Sequence, residues 1–273
     1  MCDFTGSDSW VVLSPIEASI KRKIESVGTP LKDWDINIYR GVLTGYNEAF
    51  IISTEKRDEI LANCQSDDER KRTEELIRPI LRGRDIKRYG YNWAGLYLIA
   101  TLPSRNYNIE DYPAVKEFLL SFGKERLEQT GKTYVLKGET IKARKKTNNK
   151  WFETQDSISY WEDFSRPKII YNDIAQRLSF AKSIDGAYLN NTAYFFSGEN
   201  EEILDYLLDV LNSKLIDWYY RTLSVQLGEK AVRMFSIYVL KIPVPQYDKS
   251  RNGVSLYELY GLTQEEQTYI ESV

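Results

Sequence analysis

The chain has 273 residues, 42% hydrophobic and 28% charged, and its 37 basic and 40 acidic side chains leave a net charge of −3. That length suffices for one large domain or two small ones, and the composition is ordinary for a soluble globular protein. With no histidine and only two cysteines, Cys2 and Cys64, the chain is excluded from histidine-based acid–base catalysis, histidine-ligated zinc and a disulfide framework.

Residues 1–13 lack the basic-then-apolar layout of a secretory signal, and no apolar run approaches the roughly twenty residues of a membrane helix. A cytoplasmic location is expected. Phe4-Thr5-Gly6 follows no strand and is not read as a cofactor-binding turn. Ser14-Pro15-Ile16-Glu17 is a capping box with proline at the first helical position. Ile16, Ile20 and Ile24 then form one stripe, and Gly28 can end that helix. Ile38 to Ile52 predicts a strand, a tight turn on Thr44-Gly45-Tyr46-Asn47, and a second strand. Ser66-Asp67-Asp68-Glu69 repeats the capping pattern before a charged helix that stops ahead of Pro79. A basic loop follows, with Arg78, Arg82, Arg84, Lys87 and Arg88 set against Asp85 and punctuated by Gly83.

Tyr97-Leu98-Ile99-Ala100 predicts a strand, and Pro113 opens a helix carrying Val115, Phe118, Leu119 and Phe122. Lys132, Lys137, Lys142, Arg144, Lys145, Lys146 and Lys150 make a second basic stretch opposed only by Glu139. Within it, Lys145 to Lys150 predicts an exposed polar loop, the one stretch expected to be disordered. Strands are predicted at Lys168-Ile169-Ile170-Tyr171 and Thr192-Ala193-Tyr194-Phe195-Phe196. From Glu201 to Tyr220, Leu204, Leu207, Leu208, Leu211, Leu215, Trp218 and Tyr219 recur at helical spacing behind an acidic first turn. Glu199, Glu201, Glu202, Asp205 and Asp209 balance the basic stretches, so a basic face is compatible with the negative total. Helices at both ends thus frame a β-rich middle, an α+β arrangement.

Candidate chemistry is sparse. An adenine methyltransferase needs an Asn- or Asp-Pro-Pro-aromatic loop beside the flipped base, and the chain has no Pro-Pro dipeptide. A metal-dependent nuclease needs clustered carboxylates. Asp173 is the one strand-end acid of note, and no Glu-x-Lys stands on the strand after it. DNA reading asks for something different: Lys, Arg and backbone amides for phosphates, and Arg, Asn, Gln or acids for base edges. Lys142, Arg144, Lys145, Lys146 and Lys150, with Asn148 and Asn149, could enter a groove as one loop. Arg144 and Lys146 are expected on phosphates. Asn172, Gln176 and Arg177 after one strand, and Asn190 and Asn191 after a turn, carry base-reading chemistry, with Asn190 expected on a base edge. Arg82, Arg84, Lys87 and Arg88 either contact phosphate or pair with the Asp67–Glu75 helix. Thr44, Tyr46 and Asn47 either touch DNA or support the body. The bland alternatives remain open: lysine runs are often solvated faces, and asparagines at such places are often turn formers. Tyr188, Trp218, Tyr219 and Tyr220 are assigned to packing.

Several stretches, in their order and spacing, resemble one family. They are Trp10 to Trp34 with its Pro30-Leu31-Lys32-Asp33-Trp34 ending, Ile38 to Ile52, Ile80 to Tyr89, Arg166 to Ile174, and Gly186 to Phe195. Leu211 to Tyr220, the Lys241-Ile242-Pro243-Val244-Pro245 exit, and Leu259 to Glu266 complete the series. The chain resembles the TaqI-like C-terminal specificity domain of adenine-specific DNA methyltransferases and fused type IIG restriction-modification enzymes. Gly123 to Phe164 matches nothing in that pattern, as expected where a sequence-reading domain varies. The resemblance implies an irregular, β-helix-like DNA-recognition body with flanking helices over 1–198, and a C-terminal helical hairpin within 199–273. It implies a non-catalytic, sequence-specific reader of double-stranded DNA that holds a target adenine against a separate methyltransferase domain or subunit. That partner, not this chain, would bind S-adenosylmethionine, and a nuclease domain could accompany it. No internal repeat of the kind expected in type I specificity subunits is found. The several hundred catalytic residues of the fused enzymes are missing, so the chain is either an excised fragment or a separate specificity subunit. The alternative is a protein-interaction module in which the Glu201–Tyr220 helix docks a partner; a nuclease or lyase of unrecognised type is a third reading.

Overall fold

Lys168–Asn172 is an interior strand of a four-stranded antiparallel sheet ordered Phe180–Ser183, Lys168–Asn172, Ala193–Ser197, Tyr39–Arg40. Successive side chains of a strand point to opposite faces. Here Ile170 joins Ala181 and Phe195 in one apolar core, while Ile169 and Tyr171 join Phe180 and Phe196 in a second. The computed structural model describes residues 13–136, 138–198, 200–224, 226–227 and 231–273. Cys2, Phe4-Thr5-Gly6, Trp10, Lys137 and Glu199 lie outside them.

The first core is roofed by another four-stranded sheet, ordered Tyr188–Leu189, Ile77–Leu81, Leu96–Ile99, Ile51–Ser53, in which only the first pairing is parallel. Helices Thr54–Ala62, Asp67–Leu76 and Pro113–Leu120 supply Ile60, Leu76, Val115 and Leu119 to it. The second core collects Leu204, Leu207, Leu215 and Ile270 from the C-terminal helices, together with Ile20 and Ile24 of the N-terminal helix Pro15–Val27. With several small sheets and no barrel among the described residues, the chain is mixed α+β, the class read from the sequence. Among the described residues no helix is long and apolar enough to cross a membrane.

Two local expectations are corrected. Ile38 to Ile52 holds both expected strands, but a helical turn, Asn47–Phe50, follows the bend between them, and they join different sheets: Tyr39–Arg40 pairs with Ala193–Ser197, and Ile51–Ser53 with Leu96–Ile99. The chain changes sheets at Gly41, where a β-carbon would stand 2.1 Å from the Asn190 carbonyl oxygen. The predicted Glu201–Tyr220 helix is two, Glu201–Leu211 and Lys214–Arg221. Asn212 ends the first because its side-chain amide exchanges hydrogen bonds of 2.9 and 3.0 Å with the Phe180 backbone. Ser213 then caps the second, its hydroxyl accepting from the Ile216 N–H.

The two ends of the chain are clasped together. Ser14 caps the first helix as predicted, and Thr29–Pro30 pairs with Pro243–Val244. The Glu266 carboxylate accepts from Lys23 Nζ at 2.7 Å, from Ser19 Oγ at 2.7 Å, and from the Thr263 N–H at 2.7 Å. Burial alone would raise the Glu266 pKa, but Lys23, the Thr263 N–H and Ser19 together pull it from 4.5 down to about 2. The folded state therefore binds this proton less tightly than the unfolded one. Its contribution is complete above about pH 4.5 and fades as pH falls towards about 2. Glu266→Gln should lower stability to urea at pH 7 by about 2 kcal/mol, and its difference from wild type should shrink steadily below pH 4.

Candidate nucleic-acid interface

The central strand ends at Asn172 and Asp173, and two turns, one at Asn190–Thr192 and one at Gly83, meet at that end. Asn190-Asn191-Thr192 is an Asx turn: Asn190 Oδ1 accepts from the Thr192 hydroxyl at 2.6 Å and from its N–H at 3.2 Å. Thr192 then joins the neighbouring segments. Its hydroxyl accepts from the Gly83 N–H at 2.9 Å, and its carbonyl accepts from the Asp173 N–H at 3.0 Å. Glycine at 83 is required by this approach, since a β-carbon there would lie 2.4 Å from the Thr192 carbonyl oxygen. Asn190 itself is 6% exposed. It was expected at a base edge, but its carbonyl oxygen is engaged inside the turn. Asn191 is half-buried and presents its carbonyl to Arg40, whose Nε donates at 2.9 Å. Asn172 donates to the Ile174 carbonyl at 2.6 Å, and its own Oδ1 has no partner among the described residues.

Charge gathers around this strand end. Arg40 is exposed on the edge strand, opposite Tyr194 in register. Burial raises the pKa of the Asp173 carboxyl, and Arg233 and Arg40 pull it back. Burial likewise raises the Tyr194 hydroxyl against the lowering effect of the same two arginines. Asp156 is raised by burial too, with Arg40 and Lys145 opposing. Arg40 therefore acts on two half-buried carboxyls, together with Arg233 at Asp173 and with Lys145 at Asp156. Ile174 pairs with Arg233 in a three-stranded sheet, and its side chain is exposed beside the site. Gln176 and Arg177 are exposed on the following loop, where Arg221 bonds the Gln176 carbonyl.

The basic loop over 142–150 divides between interior and surface. Arg144 is 4% exposed, and its guanidinium donates to four backbone carbonyls: Leu127 at 2.8 Å, Thr44 at 2.8 Å, Glu153 at 2.8 Å and Trp151 at 2.7 Å. Burial lowers its pKa to about 10. Arg144 was expected on a phosphate and instead lies inside. Asn149 donates to the Gln155 and Thr154 carbonyls, and Gln129 bonds Thr147, Lys150, Glu153 and Thr154. The loop expected to be disordered is thus held to one course. Lys142, Lys145, Lys146 and Asn148 are exposed on it, as is Lys150, whose ammonium lies 3.7 Å from Glu153. Before it, the Thr133–Leu136 and Glu139–Lys142 hairpin carries Val135 at 73% exposure.

The remaining expected contacts are largely committed elsewhere. Thr44 is fully buried, donating to Asn47 Oδ1 at 2.6 Å, and Tyr46 packs edge-on against Phe122, while Asn47 is exposed. Arg82 forms a bidentate pair with Asp85 at 2.8 and 3.0 Å, and Arg88 bonds the Asn212 carbonyl. These cations pair within their own loop and with Asn212, not with the Asp67–Leu76 helix. Lys87 donates to the Arg84 carbonyl at 2.9 Å, leaving Arg84 as an exposed cation of that loop. Arg40, Arg233 and Thr192 are the functional candidates that sequence reasoning missed. Only the single charge of Arg40 beside Gly41 in an otherwise apolar stretch hinted at them. Among the described residues no group of three or more Cys, Asp or Glu side chains could hold a metal ion.

A family model, the TaqI-like C-terminal specificity domain, matches residues 78–244. Two solved structures are similar in outline. The type IIL restriction-modification enzyme MmeI, in complex with DNA, is 12% identical over 79% of this chain and 26% of its own, with a TM-score of 0.49. The type IIG restriction endonuclease BpuSI is 12% identical over 94% of this chain and 27% of its own, also with a TM-score of 0.49. The chain spans about a quarter of the length of each. No curated protein matches it.

The division of the basic loop is testable by denaturation. Arg144→Ala leaves the Leu127, Thr44 and Trp151 carbonyls without a donor, while Glu153 keeps Gln129, and should lower stability by about 3 kcal/mol or more. Lys146→Ala should change it by no more than about 0.5 kcal/mol. Equal midpoints in urea for the two variants would refute the division.

Proposed function

Because the chain belongs to the TaqI-like C-terminal specificity domain family, we propose that it reads the sequence of double-stranded DNA and does no chemistry of its own. The observation that carries this reading is the placing of Arg40 and Arg233 on the strands beside one strand end, next to the polar groups of Asn172 and Asn191. Exposed lysines on the 142–150 loop, with Arg84 and Arg177, suit phosphates, which position a protein on the duplex without carrying sequence information. Arginine, asparagine and acidic groups at the strand end suit base edges in the major groove, where each good bidentate contact is worth about 1–3 kcal/mol of discrimination.

On this reading the chain serves a bacterial restriction-modification system. It holds a target adenine against a methyltransferase domain or subunit, which binds S-adenosylmethionine and methylates the flipped base; a nuclease can share that assembly. The interaction-module alternative draws little support, because the apolar stripe of the Glu201–Leu211 and Lys214–Arg221 helices is consumed by the chain's own core.

The chain should retain a motif of several base pairs from a randomised duplex pool at near-physiological salt, with affinity falling steeply as salt rises. A Lys145→Ala/Lys146→Ala double variant should retain the same motif while its logarithmic salt slope becomes shallower by about 1 to 2. Binding that is indifferent to salt and selects no motif would refute the proposal.

A further inference from the structure

We propose that Arg40 is a specificity-determining residue that reads a guanine through both terminal nitrogens of its guanidinium. The inference rests on the DNA-reading proposal above and names the base chemistry of that same face.

Arg40 is fixed at both of its ends. Its backbone lies in register with Tyr194, its carbonyl accepts from the Tyr160 hydroxyl at 2.9 Å, and the next residue, Gly41, is pressed against the Asn190 carbonyl. At the far end, Nε donates to the Asn191 carbonyl at 2.9 Å, which sets the plane of the guanidinium. Neither terminal nitrogen has a hydrogen-bond or ion-pair partner among the described residues, and the side chain is exposed. The cations expected from sequence are placed otherwise: Arg82 is consumed by Asp85, Arg88 by Asn212 and Arg144 by four carbonyls.

A fork of two parallel donors matches one base edge in the major groove. Guanine offers two acceptors, N7 and O6, whereas adenine sets an acceptor beside a donor, thymine offers one acceptor and a methyl group, and cytosine offers a donor. Phosphate also accepts from arginine. What sets Arg40 apart from the exposed lysines of the 142–150 loop is its fixed plane: the Asn191 carbonyl holds Nε and leaves the two terminal nitrogens as a parallel fork, the geometry that a base edge with two acceptors demands.

Site selection from a randomised duplex pool, run in parallel on wild type, Arg40→Lys and Arg40→Ala, tests this. Wild type should select a motif containing an invariant G·C pair. Arg40→Ala should lose at least tenfold of the preference for guanine at that one position, with the other positions, the salt slope and the melting temperature little changed. Arg40→Lys keeps the charge and can still donate to guanine but lacks the rigid fork, so it should lose a smaller part of the preference at that same position, which covers the case in which Arg40→Ala folds poorly. A motif unchanged in both variants would overturn the assignment. So would uniform weakening on all sequences with a shallower salt slope, which marks a phosphate contact. If wild type itself selects no motif, the DNA-reading proposal fails, and this one with it.

Discussion

The whole arrangement depends on one strand being buried on both faces. A strand with solvent on one side alternates apolar and polar residues, but Lys168-Ile169-Ile170-Tyr171 must satisfy two cores at once and is buried throughout. Even Lys168 is enclosed. Its ammonium donates to the Phe164 carbonyl at 2.7 Å, and burial lowers its pKa to about 8. A one-residue slip of register would exchange the two cores, sending Ile170 where Tyr171 belongs, so register is strongly specified. The strand's end at Asn172 and Asp173 is consequently placed with little freedom. A reader needs this, because a base contact depends on a few tenths of an ångström. What emerges beyond the last buried residue is the strand end beside which Arg40 and Arg233 stand.

The basic loop reaches a comparable rigidity by another route. Its interior is built around a cation instead of an apolar cluster. Arg144 has five N–H donors and no acceptor, and its partners are the carbonyls of Leu127, Thr44, Glu153 and Trp151, so it ties together segments that lack regular structure. An unpaired guanidinium inside a protein would be prohibitive. One bonded to four carbonyls behaves as a fixed joint. With the joint inside, neighbouring Lys142, Lys145 and Lys146 must point outward, and the backbone course held by Gln129 and Asn149 determines where. Sequence variation in the lysines would then alter what the loop touches without altering its path.

Legibility in the sequence followed the range of the interaction concerned. The capping box at Ser14 is decided by residues three apart, and the helix it opens is the one predicted. Arg144 cannot be told from its lysine neighbours by any local cue, because one of its partners, Thr44, is 100 residues away. Arg40 was missed for the same reason: the carbonyl that orients it belongs to Asn191, 151 residues on. Asn190 carried two chemical possibilities, and Thr192 two places later decided for the turn. Periodicity named the helical residues from Glu201 to Tyr220 but not the break, since Asn212 leaves the helix for the backbone of Phe180, which spacing does not reveal. The family resemblance supplied what local rules could not, the order of segments that meet only in three dimensions.

A net charge of −3 is the remaining objection to a DNA reader, and the sheet order answers it. The acidic start of the Glu201–Leu211 helix is held by Lys182, which bonds Glu201 at 2.9 Å and Asp205 at 2.8 Å. Lys182 belongs to Phe180–Ser183, one edge of the central sheet, whereas Arg40 lies on the opposite edge. Three strand spacings separate those edges, about 14 Å at the usual interval. At physiological ionic strength charges in solvent are screened over about 8 Å. A duplex approaching Arg40 and Lys145 therefore meets the local charges there, while Glu201 and Asp205 are already paired with Lys182 on the opposite edge. The total charge governs solubility and long-range encounter; at the strand end, the pattern of neighbours decides what can bind.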